Sequence, residues 1–169
     1  MRWMVASGLA LMLAGCATND PGLPLPPGPI ATESESISYE TSPCFGRCPV
    51  YRVTVRPDGT GVFVGERFTQ VDGERTFTLT SQQYEAFKAK LAPYRPETGE
   101  RRIAPGTAEC KLAATDLPSV AIQWTRPIGD SQSLYFYYGC DMEKNATMAQ
   151  ALGDAVDLLP IEALIGEQP

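Results

Sequence analysis

The chain has 169 residues, with 20 acidic side chains against 14 basic ones and no histidine. A net charge of −6 repels phosphate backbones and anionic headgroups, which argues against nucleic acid and against direct adsorption to a lipid surface. The lack of histidine removes the commonest general base, the Ser-His and Cys-His nucleophile pairs and the commonest metal ligand, and no cofactor or metal is expected.

Arg2 is the one charge before an apolar run from Met4 to Gly15, and the run ends in Leu13-Ala14-Gly15-Cys16. A folded helix needs about 20 apolar residues to span a bilayer, so residues 1–15 read as a removable leader. The ending resembles a bacterial lipoprotein lipobox. That resemblance implies cleavage before Cys16, a thioether-linked diacylglycerol on its sulfur and a third acyl chain on the new amino group. Stable anchoring takes two signals at about 0.8 kcal/mol per buried CH₂, so three chains would hold the protein on a membrane. In a Gram-negative cell, Ala17 after the lipidated cysteine implies the outer membrane, with the protein facing the periplasm.

Residues 16–35 carry Pro21, Pro24, Pro26, Pro27 and Pro29 among small and polar residues. Such a composition buries no core and favours extended polyproline geometry, so it reads as a tether reaching up to roughly 60 Å at about 3.1 Å per residue. A proline-rich recognition motif is the alternative use of the same residues.

A single domain is expected over 36–160. It opens with a short strand near Ile37–Thr41, followed by Pro43-Cys44-Phe45-Gly46-Arg47-Cys48-Pro49-Val50-Tyr51. An extended backbone would separate Cys44 and Cys48 by roughly 13 Å, too far for a disulfide, whereas a pinched loop relieved at Gly46 brings them into range. Tyr51, Val53 and Val55 alternate with Arg52, Thr54 and Arg56, the pattern of a half-buried strand. Arg56-Pro57-Asp58-Gly59-Thr60 is a turn, and Gly61–Glu66 returns as the hairpin partner. A second turn at Asp72-Gly73 predicts pairing of Arg67–Val71 with Glu74–Leu79.

Thr80 and Gln83 form a capping box, Leu79 and Tyr84 a hydrophobic staple, and Tyr84, Phe87 and Leu91 one face of a helix ended by Pro93. Residues 93–118 show no sustained period and read as a long connection pinned by Cys110. Ser119–Thr125 and Ser133–Gly139 predict a further hairpin whose register carries Cys140 toward Cys110. A last helix carries Met148, Leu152, Ala155, Val156 and Leu159 and ends before Pro160, leaving 161–169 as a short, loose tail.

The motif Cys-Phe-Gly-x-Cys-Pro-x-Tyr at 44–51, the alternating strand with Asp58-Gly59, Thr115-Asp116-Leu117-Pro118 before a strand, Tyr137-Tyr138-Gly139 and a final amphipathic helix resemble a domain family of unknown function found in secreted bacterial lipoproteins. The resemblance covers most of the chain after Ser36 and carries over no catalytic or binding residue. The order of elements predicts an α+β domain, a mainly antiparallel sheet of hairpins with two amphipathic helices packed on one face. Five cysteines become four once Cys16 bears lipid, and of the three possible connectivities local geometry favours Cys44–Cys48 with Cys110–Cys140.

Three functional readings follow. The leading one is a non-catalytic, lipid-anchored envelope module that binds or braces an envelope protein or cell-wall glycan, with Tyr135, Tyr137 and Tyr138 as the candidate interaction surface. The second is a thiol-disulfide protein using Cys44 and Cys48, with Arg47 as the nearby cation. The third is an envelope hydrolase using two of Asp58, Asp72, Asp116 and Asp141.

Overall fold

A computed structural model describes residues 35–166; the leader, Cys16, the tether up to residue 34 and residues 167–169 lie outside the described residues. Seven strands form one sheet: β1 Ser36–Thr41, β2 Val50–Val55, β3 Thr60–Arg67, β4 Gly73–Thr78, β5 Glu100–Ile103, β6 Ser119–Thr125 and β7 Gln132–Tyr137. Their spatial order is β4-β3-β2-β1-β6-β7-β5. Every neighbouring pair is antiparallel except β5 with β7. With its helices on one face, this is an α+β fold closed by two disulfides.

Alternation sets the two faces. Tyr51, Val53 and Val55 are buried while Arg52 points to solvent, and Ile37 and Tyr39 on β1 and Ile122 and Trp124 on β6 fall on the same buried side. The opposite face is polar. There Ser38 and Thr54 hydroxyls lie 3.2 Å apart, and Arg52 holds Glu40 at 2.7 Å. The β2–β3 turn takes the expected form: the Asp58 carboxylate accepts from the Thr60 backbone N–H at 2.9 Å and its hydroxyl at 2.7 Å. Gly59 sits at φ +84°, and a side chain there would also strike the Leu79 carbonyl at 2.8 Å.

Helix α1, Ser81–Leu91, starts on the predicted capping box, with Thr80 Oγ1 accepting from the Gln83 N–H and the Gln83 side chain accepting from the Thr80 N–H. Tyr84, Phe87 and Leu91 are its buried stripe, and the Phe87 ring meets Tyr39 edge-on at 6.5 Å. A 3₁₀ turn over Ala92–Tyr94 follows. The expected last helix is divided into α2, Ala146–Gly153, and a 3₁₀ turn over Val156–Leu158. Its apolar stripe is preserved: Met148, Leu152, Ala155 and Leu159 are all buried.

Three expectations are corrected. Arg67–Val71 is not a separate strand, because Arg67 closes β3 and the eight residues of β3 are long enough to pair with β2 on one side and β4 on the other. The ring of Phe77 on β4 occupies the space a side chain on Gly61 would need, and an added Cβ would stand 2.3 Å from it, so glycine permits this close pairing. Residues 93–118 are not wholly loop, since Glu100–Ile103 adds β5 in parallel beside β7 and buries Ile103. The tail from Ile161 is not loose. Ile161 is 1% exposed, and a short helix α3, Glu162–Ile165, accepts backbone hydrogen bonds from Gln70 and Val71 at 2.9 and 3.1 Å.

Candidate functional site

The two ends of the sheet differ in construction. At the end where β1 begins, which we term the root, Glu35 is held from three sides. Its carboxylate accepts from both terminal nitrogens of Arg95 at 2.9 and 2.7 Å and from Arg126 at 3.4 Å, while its carbonyl accepts from the Tyr84 hydroxyl at 2.8 Å. Arg95 also donates to Gln132 and lies over the ring of Trp124 at 5.4 Å.

The other end, where β1, β3 and β7 finish, carries both disulfides. Cys44–Cys48 has its Cα atoms 5.7 Å apart and Cys110–Cys140 5.1 Å apart, the two pairings that local geometry favours. Gly46 takes φ +150° inside the smaller loop. Backbone bonds tie these loops to one another: the Phe45 N–H donates to the Asp116 carbonyl at 3.1 Å, and Ser42 pairs with Ser119 through main chain and hydroxyl. The Asp141 carboxylate accepts from the Lys111 and Leu112 N–H groups at 3.0 and 2.9 Å, and these bonds hold its pKa below the usual carboxylate range.

This bridged end also concentrates what globular proteins usually hide. The non-glycine residues at positive φ among the described residues are Phe68 (+55°), Asp116 (+69°) and Asp141 (+38°), and all three lie in its loops. Phe45 is 87% exposed and Leu112 76%, with Met142 and Phe68 exposed beside them. Arg67 and Arg47 lie over the Phe68 ring at 5.2 and 5.7 Å. A groove of about 750 Å³ runs between Leu112, Ala113, Gly139, Met142 and Lys144.

The three tyrosines expected as an interaction surface stand in three different surroundings. Tyr135 lies under Arg102 at 3.9 Å on the polar face. Tyr137 is engaged by the 113–117 loop, its hydroxyl donating to the Ala114 carbonyl at 2.8 Å and accepting from the Leu117 N–H at 3.3 Å. Tyr138 turns to the helix side, where its ring meets Phe136 edge-on at 5.1 Å and burial raises its pKa. The four candidate carboxylates are likewise dispersed, Asp58 in its turn at the root, Asp72 just before β4, and Asp116 and Asp141 in loops at the bridged end. No group of three Asp, Glu or Cys residues among the described residues could hold a metal ion.

Residues 35–156 match a family described as a domain of unknown function, DUF6438. The chain belongs to that family. No curated protein matches it. The DUF6438 match takes in the whole sheet, both disulfides and α1 and α2, and it stops before Pro160, Ile161 and α3.

That boundary matters because the segment beyond the DUF6438 match walls a second pocket. About 560 Å³ in volume, it lies between Pro49 and Tyr51 at the start of β2 and the stretch from Val156 to Ile165. Tyr51 is 3% exposed, and its ring stacks on Phe63 at 5.4 Å and Tyr39 at 6.5 Å. Burial, with the neighbouring Tyr138 and the Asp157 charge, pushes the Tyr51 phenol well above its ordinary pKa. No helix among the described residues is long and apolar enough to cross a membrane.

Reading the sequence alone singles out neither the exposed apolar residues nor the pocket, yet it holds one signal. Leu112 and Met142 each stand two residues beyond a half-cystine, so the Cys110–Cys140 bridge itself brings them to one groove.

Proposed function

We propose that this chain is a lipid-anchored module of the cell envelope that binds or braces a protein or glycan there and catalyses no reaction. The observation that carries the reading is directional. The chain enters the sheet at the root through Glu35, while Phe45, Leu112, Met142 and both disulfides stand at the opposite end of β1, a strand length of about 17–20 Å away. A tether on Cys16 would therefore join the domain at the end opposite the exposed apolar loops. Cross-links that fix those loops supply the pre-organisation that binding surfaces use to reduce the entropy lost on association.

The anchor is tested by Cys16→Ser. We expect the wild-type protein in the membrane fraction and the variant in the soluble envelope fraction; unchanged fractionation would remove the anchor from the proposal. The direction is tested by photo-crosslinking residues placed at Phe45 and at Ile128, which is exposed in the β6–β7 turn at the root. Adducts should form from position 45 and not from position 128. A reduction potential below about −300 mV for Cys44–Cys48 would fit a structural bridge, and a value near those of thiol-disulfide catalysts would overturn the non-catalytic reading.

A further inference from the structure

We propose that the pocket over Tyr51 receives a cationic alkyl group, a primary ammonium or guanidinium on a short apolar stem. The inference deepens the binding-module reading and rests on it, because it assigns a ligand class to the bridged end. Its walls and its charge point the same way. Val156, Leu159 and Ile165 offer apolar surface to a stem, and Asp157 and Glu162 place two carboxylates on the same pocket. Neither carboxylate forms an ion pair with a cation among the described residues, unlike Asp154 nearby, which is met by Lys90 at 3.5 Å.

Tyr51 supplies the second, independent observation. Its ring faces are occupied by Tyr39 and Phe63, so a cation would not sit on the aromatic face. What remains is the hydroxyl, which makes no hydrogen bond to a described residue although the residue as a whole is buried and lines the pocket. A hydroxyl at the pocket lining with no protein partner can accept from an N–H donor of a ligand. An anion is disfavoured at the same place by Asp157 and Glu162. A purely apolar ligand would leave both carboxylates and the hydroxyl unmatched.

The volume, about 560 Å³, lies within the range of small-ligand sites and exceeds one side chain. The proline-rich stretch before Glu35 holds no lysine or arginine, so it cannot supply the cation itself. A lysine or arginine side chain of a partner polypeptide and a free alkylamine share the required chemistry, and the test separates them.

The purified full-length protein would be titrated by calorimetry at low ionic strength with Nα-acetyl-lysine methylamide, Nα-acetyl-arginine methylamide, 1,5-diaminopentane and the uncharged norleucine analogue. We expect saturable binding of the cations and none of norleucine; tighter binding of the acetylated amino acids points to a polypeptide source and tighter binding of the diamine to a free amine. The pair Asp157→Asn with Glu162→Gln should weaken binding by about tenfold or more, and Tyr51→Phe by a few-fold, in line with loss of charge-assisted and neutral hydrogen bonds. Both variants keep the shape of the side chains, and their thermal midpoints report whether the fold is intact. Absence of saturable cation binding to the wild type, or binding untouched in the carboxamide pair, would overturn the assignment. Either result leaves the Cys16→Ser fractionation as it was, so failure of the pocket and failure of the anchored module are told apart.

Discussion

The root of the sheet is held by reversible contacts and the bridged end by covalent ones. At the root, Glu35, Arg95, Gln132 and Trp124 form a charged cluster over a buried indole, with Tyr84 closing it from the helix. At the bridged end the loops are longer, carry three left-handed non-glycine residues and expose large apolar side chains, so hydrophobic burial contributes less to holding them. Two disulfides fix these loops, Cys44–Cys48 half-buried in its own loop and Cys110–Cys140 inside the core. Cross-linking here adds to packing, and it leaves Phe45 and Leu112 available at the surface.

The strongest way to break this contrast is to open the longer bridge. Replacing Cys110 and Cys140 by serine should lower stability by about 4 kcal/mol, since the closed loop spans a separation of 30 residues, and the loss would be read from denaturant midpoints. The root should answer next: Arg95→Ala deprives a half-buried carboxylate of its bidentate partner and is expected to cost about 2–3 kcal/mol by the same measurement. Opening Cys44–Cys48, a separation of only 4, should cost at most about 2 kcal/mol and speed hydrogen exchange in β6 and β7 by no more than that global loss requires. At the small end, Phe45→Ser should shift stability by no more than about 0.5 kcal/mol, because the ring rests on little of the protein. A large loss of stability from Phe45→Ser would mean that the ring belongs to the fold and would dissolve the contrast.

What could be read from the sequence was what local chemistry decides. The β2–β3 turn, the Thr80–Gln83 capping box, the buried stripe of α1 and the β6–β7 hairpin each depend on residues a few positions apart, and each has the expected form. The misread parts depend on distant partners. Four residues of β5 carry no usable alternation and become a strand only because β7 offers a free edge to pair with. The segment from Ile161 to Ile165 follows a proline and looks terminal, but Gln70 and Val71, some ninety positions earlier, supply the hydrogen bonds that dock it. The tyrosines at the end of β7 and just beyond it are divided between faces for a similar reason. Strand alternation sends Tyr137 and Tyr138 to opposite faces, and which face is covered was settled by a loop and a helix outside the strand.

The place of β1 has a mechanical consequence. It is the strand to which the preceding segment is directly joined, and it lies inside the sheet, bonded antiparallel to β2 on one side and to β6 on the other. Tension drawn through that segment along the strand would load both ladders in shear, so that hydrogen bonds lying across the pull resist together. The same force applied along β4 at the sheet's margin would load one ladder alone. A domain pulled from its first strand would in this way resist extraction.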